Sequence, residues 1–366
     1  MINSVFSTAE STGDAVAEIK ANINDKPMAV VYFVSSNYDQ EKVAAEMQKA
    51  FPDSQLIGCS TAGEIVSGHM LKKGLVAMSL GEGVIEFADM EVISDLTSAN
   101  SVNAAFDEFE KKLNQPISHL DFNKYVGLVL IDGMSCSEEY INERIGDLTD
   151  VLFIGGSAGD DLKFEKTWVH ANGKAYNGAA VVALFKTVNG FDILKTESFD
   201  TSEKNLIPTK VDEATRTVHE FNGKSAIDAY AEAIGKDKEK AADFFMHNPV
   251  GLLVGEEPYV RSPQQVQGDS MVFYCAVKEG MELNVLESRD IVEDTKSDLN
   301  KKLQEVGQPK GIINFHCILR TLELEQKDQT EAYAALFNDI PTIGFSTYGE
   351  TYIGHINQTS TMLLLK

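Results

Sequence analysis

The stretch Ile57-Gly-Cys-Ser-Thr-Ala-Gly-Glu64 returns near the end of the chain as Ile343-Gly-Phe-Ser-Thr-Tyr-Gly-Glu350. A third copy between them, Ile154-Gly-Gly-Ser-Ala-Gly-Asp160, is one residue shorter. The first and last copies stay in register as far as His69 and His355, with eight of thirteen residues identical. The sequence therefore predicts an internally repeated fold rather than one irregular domain.

The residues around each copy also repeat. Each copy follows an apolar, strand-like run and a stretch with helical spacing, and each precedes a second apolar run. The first runs are Ala29–Val34, Val126–Ile131 and Gly311–Phe315; the helical stripes are Val43/Met47/Ala50/Phe51, Ile141/Ile145/Leu148 and Tyr333/Leu336/Phe337; the last runs are Gly74–Met78, Gly178–Leu184 and Thr361–Leu365. A strand–helix–strand connection favours parallel pairing of its two strands. The predicted fold class is α/β (α+β), a duplicated mixed-sheet architecture of three strand–helix–strand–Gly turn–strand units.

Residues 200–308 repeat less clearly. Lys210–Asn222 has the polar alternation of a strand, Ser225–Ile234 reads as a helix, and Asp290–Val306 reads as an acidic amphipathic helix. Two apolar runs, Val250–Val254 and Met271–Val277, read as further strands. Pro208 and the polar residues around it place a domain boundary near residues 205–212.

Composition excludes several classes of protein. The 366 residues carry 32 Lys and Arg against 56 Asp and Glu, a formal charge of −24, and 43% of them are hydrophobic. A surface this acidic repels phosphate backbones, so we expect no nucleic-acid partner. No apolar run is long enough to span a bilayer, and the N-terminal residues lack the pattern of a secretory signal, so we expect no membrane partner. Four scattered cysteines without a C-x-x-C pair indicate reduced thiols, and we expect a cytoplasmic protein.

The Gly-Ser motifs allow two interpretations. As a binding site, the glycines let a ligand approach the backbone, the hydroxyls offer hydrogen bonds, and Glu64 and Glu350 supply charge at the turn. As architecture, each motif is a tight turn whose hydroxyls satisfy its own backbone. The copy at 154–160 also matches the G-x-S-x-G elbow of serine hydrolases, with Ser157 as nucleophile. The elbow requires a helix directly after the serine, whereas Trp168-Val-His170 resembles a strand.

Several motifs resemble the FIST sensory domain. Ile57–Glu64 and Ile154–Asp161 are similar to its N-terminal half, and His247–Val254, Cys317–Arg320 and Gly344–Glu350 are similar to its C-terminal half. The resemblance covers almost the whole chain and implies an N-terminal FIST domain at residues 1–207 and a C-terminal one at 208–366. It implies a non-enzymatic bacterial ligand sensor. A stand-alone protein of this kind is similar to the NosP-type haem proteins that sense nitric oxide and tune a histidine kinase.

Three functions therefore stay open at this point. The first is a sensor of nitric oxide that holds haem b and acts on a histidine kinase. The second is a sensor of an amino acid or another small polar ligand without haem. The third is a serine hydrolase that uses Ser157. Whether the protein forms a homodimer is also left open.

Haem needs an axial ligand, an apolar slot and cations for its propionates. His355 and His247 are the first candidates for the metal ligand because each lies beside a family motif, and His69 occupies the position equivalent to His355. His316 and Cys317 end a strand that reads as buried. Arg261 and Arg320 are the predicted cations, because an arginine suits a carboxylate partner through two hydrogen bonds.

Overall fold

The computed structural model describes residues 2–23, 26–255 and 257–366. The chain forms two compact units. The first contains residues 1–195, 296–355 and 360–366, and the second contains residues 196–295 and 356–359. Both units are discontinuous in sequence, so they do not test the predicted division at residue 207, which stays a prediction.

The first unit is built from three copies of one supersecondary unit. The first copy consists of β1 (Ile2–Ser7), α1 (Thr12–Asn22), β2 (Ala29–Ser35), α2 (Gln40–Ala50), β3 (Gln55–Thr61), β4 (Glu64–Val66), β5 (His69–Leu71) and β6 (Leu75–Leu80). The second copy consists of β7 (Ile85–Ile93), α3 (Ala99–Leu113), β8 (Tyr125–Ile131), α4 (Glu138–Leu148), β9 (Phe153–Ser157), β10 (Val169–Ala171), β11 (Lys174–Tyr176) and β12 (Ala180–Thr187). The third copy begins with β13 (Phe191–Thr196).

The second unit follows β13 in the chain. Its elements are β14 (Phe199–Leu206), β15 (Pro208–Asp212), β16 (Thr217–Phe221), β17 (Lys224–Ser225), α5 (Ala226–Ile234), β18 (Val250–Val254), β19 (Glu257–Arg261), β20 (Pro263–Gln267), β21 (Ser270–Phe273) and β22 (Leu283–Ser288). They form one sheet in the order β14-β22-β18-β19 and another in the order β15-β16-β21-β20, with β17 paired to β16. The predicted strand over 210–222 is a hairpin, and the strand predicted at 271–277 ends at Phe273.

The third copy resumes after this insertion. Its remaining elements are α6 (Ile291–Val306), β23 (Gly311–Cys317), α7 (Ile318–Gln326), α8 (Thr330–Ala335), β24 (Thr342–Thr347), β25 (Glu350–Tyr352), β26 (His355–Ile356) and β27 (Ser360–Leu365). Between β23 and β24 the sequence pattern located only α8, and it extended that helix too far, because Leu336 and Phe337 lie just beyond its end. The longer α7 directly follows β23.

The three copies share one pairing scheme, which confirms the predicted mixed α/β fold. The pairs β2–β3, β8–β9 and β23–β24 are parallel, and β6, β12 and β27 pair antiparallel to β2, β8 and β23 respectively. The hairpin of each copy joins the sheet of another copy. The three six-stranded sheets run β1-β6-β2-β3-β10-β11, β26-β25-β9-β8-β12-β7 and β13-β27-β23-β24-β4-β5. The exchange of hairpins is therefore cyclic and closes on itself.

Burial follows from this arrangement. Val31 and Phe33 of β2 pack into a cluster shared by all three copies, while Val30, Tyr32 and Val34 pack against α1 and α2. Phe33 lies 4.5 Å from Phe345 between ring centroids. Because both faces of each central strand are covered, its apolar residues form continuous runs rather than an alternating pattern.

Candidate functional site

The first glycine of each motif is explained by strand pairing. A Cβ atom at Gly58, Gly155 or Gly344 would lie 2.5, 1.8 or 2.2 Å from the carbonyl oxygen of its partner on the neighbouring parallel strand. Such distances are far inside van der Waals contact, so these positions accept glycine alone. This part of the repeated motif is architectural.

The serines of the motifs join the copies to one another. Ser346 donates its N–H to the Gly63 carbonyl (2.8 Å), Ser157 donates to Gly349 (2.9 Å), and Ser60 donates to Trp168 (2.9 Å). Each serine carbonyl accepts an N–H in return, from Ala62, Tyr348 and Gly159 respectively. The motif strands therefore meet in a closed set of reciprocal backbone hydrogen bonds. In the second copy the acceptor is the Trp168 carbonyl and not that of a turn glycine, because the inserted loop 160–167 separates Trp168 from the motif.

The side chains of these serines differ in environment. Ser60 Oγ donates to the Gly159 carbonyl and accepts from the Trp168 N–H. Ser157 Oγ donates to Glu138 Oε1 (2.9 Å). Ser157 is buried, and the next element after it is the strand β10 and not a helix, so it does not have the exposed geometry of a nucleophile elbow.

The glutamates at the turns are buried rather than exposed charges. Thr61 donates its hydroxyl to Glu64, and Thr347 donates to Glu350 in the same way. Burial raises the pKa of Glu64 to about 8, although the hydrogen bond from Thr61 opposes that shift. The Glu64 carboxyl is therefore mostly protonated at neutral pH, contrary to the expectation that it supplies charge.

A cleft of about 430 Å³ opens beside the turn of the first motif, and we call it the Thr321 cleft. Its walls come from the hairpin β4–β5 of the first copy and from α7, α8 and β24 of the third copy. The lining residues are Ala62, Gly63, Met70, Leu71, Lys72, Thr321, Glu325, Asp328, Thr330 and Ser346. The size is that of sites for small molecules, which need a few polar groups pointing at one space.

The polar groups of the Thr321 cleft have fixed positions. At its floor, the hydroxyls of Thr321 and Ser346 lie 2.8 Å apart, and both residues are buried. At its mouth, Lys72 Nζ lies 3.1 Å from Glu325 Oε1. Gly63 has a φ of +127°, and a Cβ there would lie 3.3 Å from Ser346 Oγ. A larger residue at position 63 would be strained and would narrow the cleft.

Two further clefts have other linings. One of about 470 Å³ runs along β1 from Ile2 to Phe6, with Asn22 and Pro341. One of about 200 Å³, which we call the Asn142 cleft, lies between α4 and the β25–β26 hairpin, around Asn142 and Thr351. In the cyclic scheme, the Asn142 cleft is the counterpart of the Thr321 cleft.

The loop 160–167 is held by one aspartate and one tyrosine. Asp160 accepts the Tyr348 hydroxyl and the N–H groups of Phe164, Glu165 and Lys166. Burial raises the pKa of Asp160, but these hydrogen bonds outweigh burial and leave the pKa below its usual value. The loop contains three residues with positive φ, namely Asp161, Leu162 and Phe164. Strained backbone of this kind persists only where surrounding contacts hold it.

The predicted histidines of the first unit lie in three different environments. His355 is buried on β26, with Nδ1 3.2 Å from Glu139 Oε1. His69 has the equivalent place at the start of β5, as predicted, but it is exposed and packs on Phe6. His316 is fully buried against Tyr333, and burial, assisted by the charge of Arg320, lowers its pKa well below the usual value.

The other predicted residues fall into two groups. Cys317 is the buried last residue of β23, and the buried Arg320 on α7 hydrogen-bonds Tyr333. His316, Cys317 and Arg320 lie close together because they are near neighbours in the sequence. His247 and Arg261 belong to the second unit. Arg261 donates Nη1 to the carbonyl of Val260.

His355 and His316 do not fit an axial haem ligand in this structure. Nε2 of His355 lies against Gly349, where a Cβ would be 2.0 Å from it, so the ring nitrogen faces backbone. His316 packs against a tyrosine inside the sheet. None of the three clefts described above, all within described residues, has a histidine in its lining.

Sequence reasoning missed the cleft residues Thr321, Lys72 and Glu325, and it missed Glu138 and Glu139. Thr321 follows the predicted Cys317–Arg320 segment directly, and Lys72 follows His69 by three residues. No local signal joins these segments. Only the cyclic exchange of hairpins places a residue of the first copy beside a helix of the third.

Comparison with known proteins agrees with the repeated motifs. The FIST N domain model matches residues 28–224, and the FIST C domain model matches residues 226–352. The uncharacterized protein MJ1623 of Methanocaldococcus jannaschii is 24% identical over 326 residues, which is 81% of this chain. The match spans 61% of the length of that relative. The two domain matches cover most of the sequence, and the chain therefore belongs to the FIST family.

Proposed function

We propose that this protein senses a free amino acid, or a similar small zwitterion, in the Thr321 cleft. FIST domains have a small-ligand sensing role in signalling and are generally non-enzymatic, which gives the function class. The observation that supports this ligand is that Lys72, Glu325, Thr321 and Ser346 line one partly open cleft.

The charges of the cleft complement a zwitterion. Glu325 and Asp328 suit an ammonium group, and Lys72 suits a carboxylate. The hydroxyls of Thr321 and Ser346 can each donate or accept a hydrogen bond. They therefore position the ligand without selecting between its charged groups. A ligand would replace the Lys72–Glu325 ion pair at the mouth, which is exposed and contributes little stability by itself.

Ligand binding would also connect two copies of the repeat. Lys72 lies after β5 of the first copy, whereas Thr321 and Glu325 lie on α7 of the third copy. A ligand that contacts both sides stabilises the arrangement in which they are close. Binding energy of this kind shifts a conformational equilibrium only if the ligand contacts differ between the two states.

The experiment is a thermal-shift screen of the twenty amino acids, followed by calorimetric titration of each compound that raises Tm. A ligand at 100 times its Kd adds about 2.7 kcal/mol to stability, which is readily detected as a higher Tm. We expect Lys72→Met and the pair Thr321→Val/Ser346→Ala to weaken binding at least tenfold. Lys174→Met removes an exposed lysine from the hairpin of the second copy and serves as the matched control. No shift with any amino acid, or equal binding by all variants, would refute the proposal.

The haem hypothesis stays a prediction that rests on the resemblance. An absorption spectrum of protein produced with a haem supply tests it, before and after nitric oxide under reducing conditions. A stoichiometric Soret band that moves with nitric oxide and changes in His355→Ala or His247→Ala would replace the amino-acid proposal. A colourless protein that stays colourless after haem titration would leave the amino-acid proposal standing.

A histidine kinase is the partner class that we propose for the output. The net charge of −24 suits a basic docking face, and such an association weakens with salt. Binding to a candidate kinase across a salt series checks this, and flat affinity would contradict it. Against the hydrolase alternative, we expect an ester probe to leave Ser157 unlabelled, with Ser157→Ala as the comparison.

A further inference from the structure

A histidine and two glutamates meet on α4 and β26, outside the Thr321 cleft. Glu138 and Glu139 form the first turn of α4, and His355 begins β26. Each residue offers one ligand atom, and these three atoms all lie within 4.8 Å of one another. His355 Nδ1 and Glu139 Oε1 are 3.2 Å apart. The residues come from two copies of the repeat, so folding and not sequence proximity assembles them.

The trio is a prearranged, mostly buried cluster. The side chain of His355 is 1% exposed and that of Glu139 is 26% exposed. Nδ1 is the ring nitrogen of His355 that faces Glu139, whereas Nε2 is buried against the Gly349 backbone. Two carboxyl groups and an imidazole lie together at low exposure, and a bound cation would offset the cost of burying these polar groups.

The surrounding residues hold these ligand atoms in place. Ser157 Oγ donates to Glu138 Oε1 from the end of β9. Asn142, one turn further along α4, donates to Thr351 Oγ1 and ties the helix to the β25–β26 hairpin. Hydrogen bonds that orient the ligand side chains are a regular feature of protein metal sites.

We propose that Glu138, Glu139 and His355 bind a divalent transition-metal ion of the Zn²⁺ class. One imidazole nitrogen and two carboxylate oxygens suit such ions better than Mg²⁺ or Ca²⁺, which take oxygen ligands. Metal–ligand bonds of about 2.0–2.2 Å place the ligand atoms of one ion roughly 3 to 4 Å apart. The observed spacing therefore needs only a small side-chain adjustment. The Asn142 cleft, which Gly354 also lines, leads to the same hairpin and helix.

The repeated fold supplies a matched control. His69 holds the position of His355 in the first copy, but it is exposed and packs on Phe6 instead of facing two glutamates. A metal that binds histidine or acidic surface in general would not distinguish the two positions. A metal that binds the trio must depend on His355 and not on His69.

The test is a titration of chelator-treated full-length protein with Co²⁺, in which binding is measured from the visible d–d absorption of the ion. Zn²⁺ is then added to displace Co²⁺, and the displacement is measured by calorimetry. We expect the native protein to bind one equivalent of the metal. The affinity should be at least tenfold weaker in His355→Gln and in Glu139→Gln and unchanged in His69→Gln. Glu139 is partly exposed, so Glu139→Gln still tests the site if His355→Gln fails to fold, as judged by circular dichroism. No binding, binding of several weak equivalents, or one equivalent that all three variants retain would overturn the proposal. Amino-acid binding in the Thr321 cleft is measured separately and does not decide this result.

Discussion

Thr61 donates its side-chain hydroxyl to Glu64, three residues along the chain and across the turn of the first motif. The same bond joins Thr347 to Glu350 in the third copy. In both places the carboxyl is buried beneath the turn instead of pointing into solvent. The Thr-x-Gly-Glu sequence therefore closes the turn with a buried hydrogen bond. At Glu64, burial also raises the pKa of the carboxyl.

Glu64→Gln is expected to flatten the pH dependence of stability between about pH 4.5 and 8. Burial raises the pKa of Glu64 to about 8 in the folded protein, so the folded state binds one more proton than the unfolded state across this range. That contribution to stability is fully present below the unfolded pKa and is lost as pH rises through the folded pKa. Glutamine stays neutral and removes the loss. Tm measured at half-unit pH intervals for both proteins gives the difference, and parallel curves would contradict the assignment.

Gly155→Ala is expected to destabilise the first unit by about 3 kcal/mol or more, because a Cβ there would lie 1.8 Å from the Val129 carbonyl oxygen. Backbone cannot move aside as a flexible side chain can. Gly146→Ala is the matched control, since Gly146 lies inside α4 with no atom within 4 Å of its added Cβ. The control should be neutral or more stable by up to about 1 kcal/mol, owing to helix propensity. The measurement is the Tm of the native protein and of both variants. Equal changes in Tm for Gly155→Ala and Gly146→Ala would contradict the explanation.

Tyr348→Phe is expected to loosen the loop 160–167. The hydroxyl of Tyr348 donates to Asp160 and accepts the N–H of Leu162 at 2.8 Å, so its loss removes the anchor of a loop with three positive-φ residues. Lys163 and Lys166 lie in the loop and make it a substrate for trypsin once it opens. Limited proteolysis should cut there several times faster than in the native protein. Tyr176→Phe, which lies outside this network, should be cleaved at the same rate as the native protein. If trypsin cleaves both variants at that rate, the anchoring role of Tyr348 is ruled out.

Much of the fold could be predicted because repetition amplifies weak local signals. One run such as Val126–Ile131 is ambiguous alone, but three runs at matched distances from three Ile-Gly motifs are not. The parallel pairing followed from the strand–helix–strand order, and registers such as Ala29 with Gln55 bear it out. The helix α7 was missed because the apolar stripe around Tyr333 is clearer than the mixed pattern after Cys317.

The candidate site was harder to predict because its residues meet only through the exchange of hairpins. Pairing of β4 with β24 sets Lys72 of the first copy beside Thr321 of the third. Pairing of β25 with β9 sets His355 beside Glu139 in the same way. No periodicity within one copy reveals which hairpin joins which sheet. Equivalence in sequence also failed to indicate equivalence in environment, since His69 is exposed and His355 is buried.

The hydroxyl of Ser60 is expected to matter more for stability than that of Ser346, although the two serines are equivalent in the motif. Ser60 Oγ donates to the Gly159 carbonyl at 2.7 Å and accepts the Trp168 N–H at 2.9 Å, so Ser60→Ala leaves two backbone groups of the second copy without that partner. We expect a cost of about 2 kcal/mol or more.

Ser346 Oγ instead lies 2.8 Å from Thr321 Oγ1 at the floor of the Thr321 cleft, where water can replace a lost hydroxyl. Ser346→Ala should therefore cost less than about 1 kcal/mol while weakening ligand binding. Tm and ligand titration measured on both variants separate the two roles. If Ser346→Ala proves as destabilising as Ser60→Ala and binds ligand normally, the third motif is architectural as well, and the cleft beside it loses its functional serine.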